Sequence, residues 1–325
     1  MNRFRYIDKK ILCSYDLSEA FFNKLGVEVY DIIPLRKVFV LFTNKGKKIL
    51  KSINSSKERI RFIDKILNII KQNDKYILQY CKNSENHIVT NWKGKSYVLL
   101  DMIDGREASF TNPLEVEWCT KALVNFHNAS ENIISKITEE ELKLNKSNNL
   151  IYEFLNDLCF ISEAERVIGK FKYKNEFDTL FLANVSKAKN DLNRSINLLS
   201  NSSYNEIYSD SNNMVICHLD LAHHNFIIDE NEVNMIDFDY CKVDIRVVDI
   251  YNFIIKVVKN YAYDKKIINK IISDYSNIHN ISEKEEEIIF SLLNYPRDFV
   301  SICKDYYLKQ KSWDYEVFLS RFNDK

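Results

Sequence analysis

Three side chains able to handle protons or metal ions follow an apolar run at Met214–Cys217: His218, Asp220 and Asn225. A fourth, Asp237, follows a second such run at Val233–Ile236. The short turn Asp229-Glu-Asn231 lets Phe226–Ile228 and Val233–Ile236 pair as a hairpin. That pairing would bring Asp220, Asn225 and Asp237 to one end of it. Phosphoryl transfer needs such a set: a carboxylate to orient or deprotonate the attacking hydroxyl, and Asn with Asp to hold Mg2+ on the phosphates. Magnesium takes oxygen ligands, commonly one or two carboxylates with phosphate and water, which suits Asn225 and Asp237. Any one of these Asp residues alone reads more readily as a turn cap. The ordered set, projected from apolar strands, is what points to chemistry.

The elements that must position these residues fall into two groups. Asp16-Leu-Ser-Glu19 has the pattern of a capping box opening a short helix that Gly26 closes. Strand-like runs follow at Val27–Leu35, Lys37–Thr43 and Lys47–Ile53, with Gly46 in the last turn. Ser56–Gln72 places Ile60, Ile63, Leu67 and Ile70 on one helical face. Two more strands are expected at His87–Trp92 and Ser96–Met102. After about residue 105 helix dominates: Asn112-Pro113 to His127, then Glu139–Lys170 and Glu176–Leu199. A polar stretch, Ser200–Asn213, leads into the strands around the polar cluster, and helix resumes from Arg246. This order predicts an α+β fold in two lobes, a small antiparallel sheet with one helix and a larger helical body. A cleft between lobes is a preferred ligand site.

Composition sets the background. Lys+Arg and Asp+Glu both number 46, so the net charge is zero and no global binding to nucleic acid or anionic membrane is expected. The seven cysteines are scattered with no CxxC or zinc spacing, as expected of reduced thiols in a cytosolic protein. The charged N-terminus does not read as a signal peptide, and no run of about 18 apolar residues suggests a membrane span.

The motif His218-x-Asp220-x-x-x-x-Asn225, followed by Ile236-Asp-Phe-Asp239, resembles the aminoglycoside phosphotransferase and choline kinase group, whose members have a protein-kinase-like fold. Within that group the chain looks most like the CotS family of spore-coat-associated proteins. Cys217-His-x-Asp220, Ile236-Asp-Phe-Asp-Tyr240 and Asp244-Ile-Arg-x-x-Asp249 carry the narrower resemblance. Thr43–Lys51, Leu100–Arg106 and Ala122–His127 add to it in the right order, so it covers most of the chain. The resemblance implies an N-terminal nucleotide-binding lobe at 1–103 and a catalytic, metal-binding lobe at 104–325. It implies that Asp220 is the catalytic base and that Asn225 and Asp237 ligate Mg2+. Lys51 would contact the ATP phosphates, and Asp101, Met102 and Ile103 would line the adenine hinge. His218 and Asp249 would brace the catalytic loop. The implied partners are ATP and a hydroxyl acceptor, small molecule or protein, with other spore coat proteins possible and neither nucleic acid nor membrane. The implied location is the mother-cell cytoplasm or the spore coat.

This chain departs from the group's pattern at four places. The turn Ile33-Pro-Leu-Arg-Lys-Val38 has no glycine, although a phosphate-cradling loop uses glycines to bring backbone N–H groups close. Arg36 or Lys37 would then have to neutralise phosphate by side chain. The acidic partner of Lys51 is expected on the following helix, at Glu58 or Asp64. Asp239 stands where the group's DFG-type motif has glycine. Ala222 replaces a second histidine, and His223 and His224 follow it; they read either as substrate-facing or, more readily, as part of a solvated loop. Two functions fit: an ATP- and Mg2+-dependent phosphotransferase, or a kinase-fold scaffold of the spore coat with a weak or inactive site. His127 reads as a packed helix-end residue. The tail aromatics Tyr306, Tyr307, Trp313, Tyr315 and Phe318 are expected to pack on the large lobe.

Overall fold

Alternating apolar side chains and two glycine turns build the first layer. The computed structural model describes residues 17–323 apart from Lys37. The cap expected at Asp16 and the phosphate role offered for Lys37 therefore lie outside the described residues. Strands β1 (Val29–Leu35), β2 (Val38–Thr43), β3 (Gly46–Ile53) and β6 (Lys95–Asp101) pair antiparallel in that order. β4 (Tyr80–Cys81) and β5 (Val89–Trp92) both add to β6. The β2–β3 turn is closed by Gly46 at φ 87, a conformation glycine adopts without steric cost.

Helix α1 (Glu19–Leu25) packs Phe21, Phe22 and Leu25 onto Leu41, Leu50 and Tyr97 of the sheet. Helix α2 (Lys57–Ile70) starts where the Ser56 hydroxyl accepts from the Arg59 amide. It buries Ile60, Ile63, Leu67 and Ile70, the face its spacing predicts, together with Phe62 and Ile66, in the main core.

Between the lobes, Gly105 sits at φ 144, and a Cβ there would lie 2.5 Å from the Ile228 carbonyl oxygen. Only glycine lets the chain pass this close. The next residues form β7 (Arg106–Glu107), which pairs with β9 (Phe226–Asp229), itself hairpinned to β10 (Glu232–Met235).

The second lobe is mainly helical. α3 (Pro113–Ala129) opens on an Asn112 side-chain cap with proline in its first turn, as expected. The single helix expected over Glu139–Lys170 is two: α4 (Glu139–Asn145) and α5 (Leu150–Gly169). The Asn149 side chain accepts from the Ile151 amide and starts α5 anew. α6 (Glu176–Asn201) follows, and the polar stretch after it holds a short helix, α7 (Tyr204–Ser209), anchored by buried Tyr204.

β8 (Met214–Cys217) pairs with a strand the sequence did not suggest, β11 (Lys242–Ile245). α8 (Arg246–Val258), α9 (Lys265–Ser276), α10 (Glu283–Leu293), α11 (Arg297–Tyr307) and α12 (Tyr315–Asn323) complete the lobe. The tail aromatics pack as expected: Tyr306 stacks on Phe177 at 3.9 Å between ring centroids, and Phe318 and Trp313 join the same cluster. The fold is α+β and bilobal, a small antiparallel sheet lobe and a larger helical one.

Candidate active site

The hairpin carries the candidate residues to one end, as its turn chemistry suggests. Asp229 pairs with Glu232 across the turn, and the Ile236 amide donates to the Asn225 carbonyl at 3.0 Å. Asn225 and Asp237 thus emerge from adjacent strand ends.

The Asn225 side-chain amide donates to the Asp220 carbonyl at 2.8 Å and to its carboxylate at 3.2 Å. This fixes the orientation of a side chain only 2% exposed and keeps Oδ1, the atom a cation would use, off Asp220. Asp237 holds φ 65, and Leu219, beside Asp220, also holds φ 65. Left-handed backbone is uncommon for non-glycine residues and costly for leucine, and such strain clusters at functional sites.

The strain at Leu219 is held by Asp249. Its buried carboxylate accepts the His218 amide at 2.5 Å, the Leu219 amide at 2.9 Å and His127 Nε2 at 3.3 Å. Tyr275 donates to His127 Nδ1 at 2.8 Å, which leaves the Nε2 proton facing Asp249. His218 takes the same tautomer: Nδ1 accepts the Asp220 amide at 3.3 Å, and Nε2 donates to the Ile236 carbonyl at 2.9 Å. His218 therefore ties the strand leading to Asp237 to the loop holding Asp220. His127 is packed, as its sequence setting suggests, but it also completes the support of Asp249.

Lys51 of β3 reaches this cluster from the sheet lobe. Its Nζ lies 2.6 Å from Asp237 Oδ1 and 2.8 Å from Asp239 Oδ2. Burial pulls the ammonium down, but Asp239 and then Asp237 outweigh it and hold its pKa above the ordinary lysine value. The acid expected on α2 is not there. Among the described residues the ion-pair partners of Lys51 are Asp237 and Asp239. Glu58 is exposed, and Asp64 is held by Asn68 and Lys82 while burial raises its pKa. Two α2 cations cross to the larger lobe instead: Lys65 pairs with Glu141 at 2.7 Å, and Arg59 donates to Asn145 Oδ1 at 2.5 Å, to the Asp239 carbonyl at 3.1 Å and to the Cys241 carbonyl.

The glycine-free turn is shaped by Arg36 at φ 53. Its guanidinium lies 3.0 Å from Glu107 of β7, so it bridges the lobes at the cleft mouth. His223 Nε2 is 3.9 Å from the same Glu107. Beside it, His224 is pulled below the ordinary histidine value by burial and then by His223. In the hinge, Asp101 pairs with Lys48, and the Met102 amide donates to the Lys47 carbonyl at 3.1 Å.

Residues 19–324 match the family described as "Spore coat putative kinase YutH". The chain belongs to this family. Spore coat protein S of Bacillus subtilis (strain 168) is 24% identical over 293 residues, 87% of this chain and 81% of that protein. Among solved structures, an aminoglycoside phosphotransferase from Alicyclobacillus acidocaldarius superposes with a TM-score of 0.81 at 16% identity, covering 95% of this chain and 90% of that one. A spectinomycin phosphotransferase bound to ADP and spectinomycin gives 0.68 at 14% identity, covering 95% and 92%. A Plasmodium vivax ethanolamine kinase gives 0.54 at 17% identity, covering 98% and 89%. These likenesses establish a protein-kinase-like fold for this member of the spore coat family. Membership fits the mother-cell cytoplasm or the spore coat as its location. No helix among the described residues is long and apolar enough to cross a membrane.

Proposed function

We propose that the protein is an ATP- and Mg2+-dependent phosphotransferase that passes the γ-phosphoryl group to a hydroxyl. The observation that carries this reading is the convergence of Lys51 on Asp237 beside the Asp220–Asn225 pair. We divide the labour between residues 1–103, which bind nucleotide, and 104–325, which supply base and metal ligands. Asn225 Oδ1 and the Asp237 carboxylate form a hard oxygen donor set that fits magnesium. The cation would neutralise charge on the β- and γ-phosphates.

Asp220 takes the proton of the attacking hydroxyl. Lys51 exchanges Asp237 for the phosphates while Asp239 keeps hold of it. Asp101, Met102 and Ile103 line the adenine side of the cleft. Catalysis is then positioning and charge neutralisation, the two demands of a loose phosphoryl-transfer transition state. The test is ADP release: Asp220→Ala should slow it by about 100-fold or more, the typical value of a general base. Equal turnover in Asp220→Ala would refute the assignment.

The glycine-free turn, with Arg36 tied to Glu107, favours a second reading. The protein would then be a kinase-fold scaffold of the spore coat that binds nucleotide weakly. That reading predicts no turnover in the wild type.

A further inference from the structure

One helix holds the catalytic loop at two points. Asp249 and Lys256 are seven residues apart on α8, about two turns, which sets them on the same face. Asp249 is buried and accepts the His218 and Leu219 amides. Lys256 stands further along, with its Nζ 3.5 Å from Asp220 Oδ1. The same helix therefore grips the strained backbone before Asp220 and then the Asp220 carboxylate itself.

The two oxygens of that carboxylate are held differently. Oδ2 accepts the Asn225 side-chain amide at 3.2 Å. Among the described residues the partner of Oδ1 is Lys256, and Lys51, the other cation of the cleft, is engaged by Asp237 and Asp239. At 3.5 Å the Lys256 contact is an ion pair, longer than a charge-assisted hydrogen bond of about 2.7–2.9 Å. One oxygen is thus taken by a donor, while the other faces a cation that leaves its lone pairs free for a proton. Lys256 and Asp220 are 34% and 30% exposed, so an incoming hydroxyl can reach Oδ1.

We propose that Lys256 is the positioning residue of the base: it orients the Asp220 carboxylate so that Oδ1 takes the proton of the acceptor. This rests on the phosphotransferase reading above and deepens it at the same site. In the transfer, the acceptor oxygen bonds to Pγ as the bond from Pγ to the β,γ-bridging oxygen breaks. ADP leaves with that electron pair, and the hydroxyl proton passes to Asp220 Oδ1. Without Lys256 the carboxylate keeps one anchor, Asn225, and turns more freely about its Cβ–Cγ bond. A general base works only within hydrogen-bond geometry of the proton it removes, so the loss falls on the chemical step and not on nucleotide binding.

The test is steady-state ADP release from ATP and Mg2+, with water or glycerol as the acceptor, on the wild type, Lys256→Gln and Lys256→Arg. Lys256→Gln should lower kcat about tenfold, a part of the 100-fold or more that a general base supplies. It should leave KM for ATP and the melting temperature unchanged, and Lys256→Arg, which keeps the charge, should retain most of the rate. In an Asp220→Ala background, Lys256→Gln should cost less than about twofold, because a residue that acts through another adds nothing once that other is gone. A native kcat in Lys256→Gln, a full loss that persists without Asp220, a raised KM in place of a lowered kcat, no rescue by arginine, or melting well below the wild type overturns the proposal. A wild type that releases no ADP sinks the phosphotransferase reading and this inference with it. Turnover that is indifferent to Lys256 sinks this inference alone.

Discussion

Lys51 and Asp239 meet across the cleft at 2.8 Å, an ion pair between the third strand of the sheet lobe and the residue two beyond Asp237. The pair does the work expected of an acid on α2. If Asp237 ligates a metal ion as proposed, Asp239 is the anion left to hold Lys51 in place. Asp239→Ala should therefore weaken ATP–Mg2+ binding by about tenfold, the value of one charge-assisted hydrogen bond. Isothermal titration checks this. Binding unchanged in Asp239→Ala would mean that Lys51 needs no second anchor.

Arg59 is another crossing between the lobes. Its removal strands the carbonyls of Asp239 and Cys241 and the Asn145 side chain. Arg59→Met keeps the length of the side chain and loses these bonds. Its stability in urea should fall by about 2–4 kcal/mol. A loss below about 0.5 kcal/mol would place Arg59 among ordinary surface cations.

Asp249 gathers three donors from His218, Leu219 and His127. Asp249→Asn replaces one acceptor by an N–H2 that must face a donor. The variant should lose about 2–4 kcal/mol of stability, and what folds should turn over ATP more slowly because the strained backbone at Leu219 relaxes. Thermal melting and ADP release measure the two effects. A variant with native melting and native turnover would contradict this role.

Asp244 predicts a pH dependence. Burial raises its carboxyl to about 7 in the folded protein, against pulls from Ser147 and the Ile245 amide. The unfolded value is about 3.9. Between these values the folded chain holds a proton that the unfolded chain has released. Stability therefore falls as pH rises through this window, and the fall ends above about 7. Asp244→Asn removes that slope, so it should gain on the wild type between pH 5 and pH 8. Urea titrations at both pH values test it, and a stability of the variant relative to the wild type that stays constant or falls between them would contradict the shift.

Much of this arrangement was legible because it is local. Gly46, the apolar spacing of α2 and the Asn112-Pro113 start each act within a few residues. The run from His218 to Asp249 also kept its strands and turn in reading order. Two elements were hidden by context. In an Asn-rich chain, Asn149 gave no signal as a helix cap, so α4 and α5 looked continuous. β11 is four residues long and fused to α8, too short to show alternation. The partners of Lys51 were beyond local reading altogether. Asp239 looked like a tolerated replacement for glycine. Its pairing with Lys51 arises only when the lobes face each other and distant residues share one cleft.

The central claim is that Asp237 and Lys51 form a nucleotide–metal site. Thermal unfolding with ATP, with and without Mg2+, tests it on the wild type and on Asp237→Ala. At one hundred times its Kd the ligand should stabilise the wild type by about 2.7 kcal/mol, and the magnesium-dependent part should vanish in Asp237→Ala. No shift in the wild type, or an equal magnesium-dependent shift in both proteins, would contradict the account.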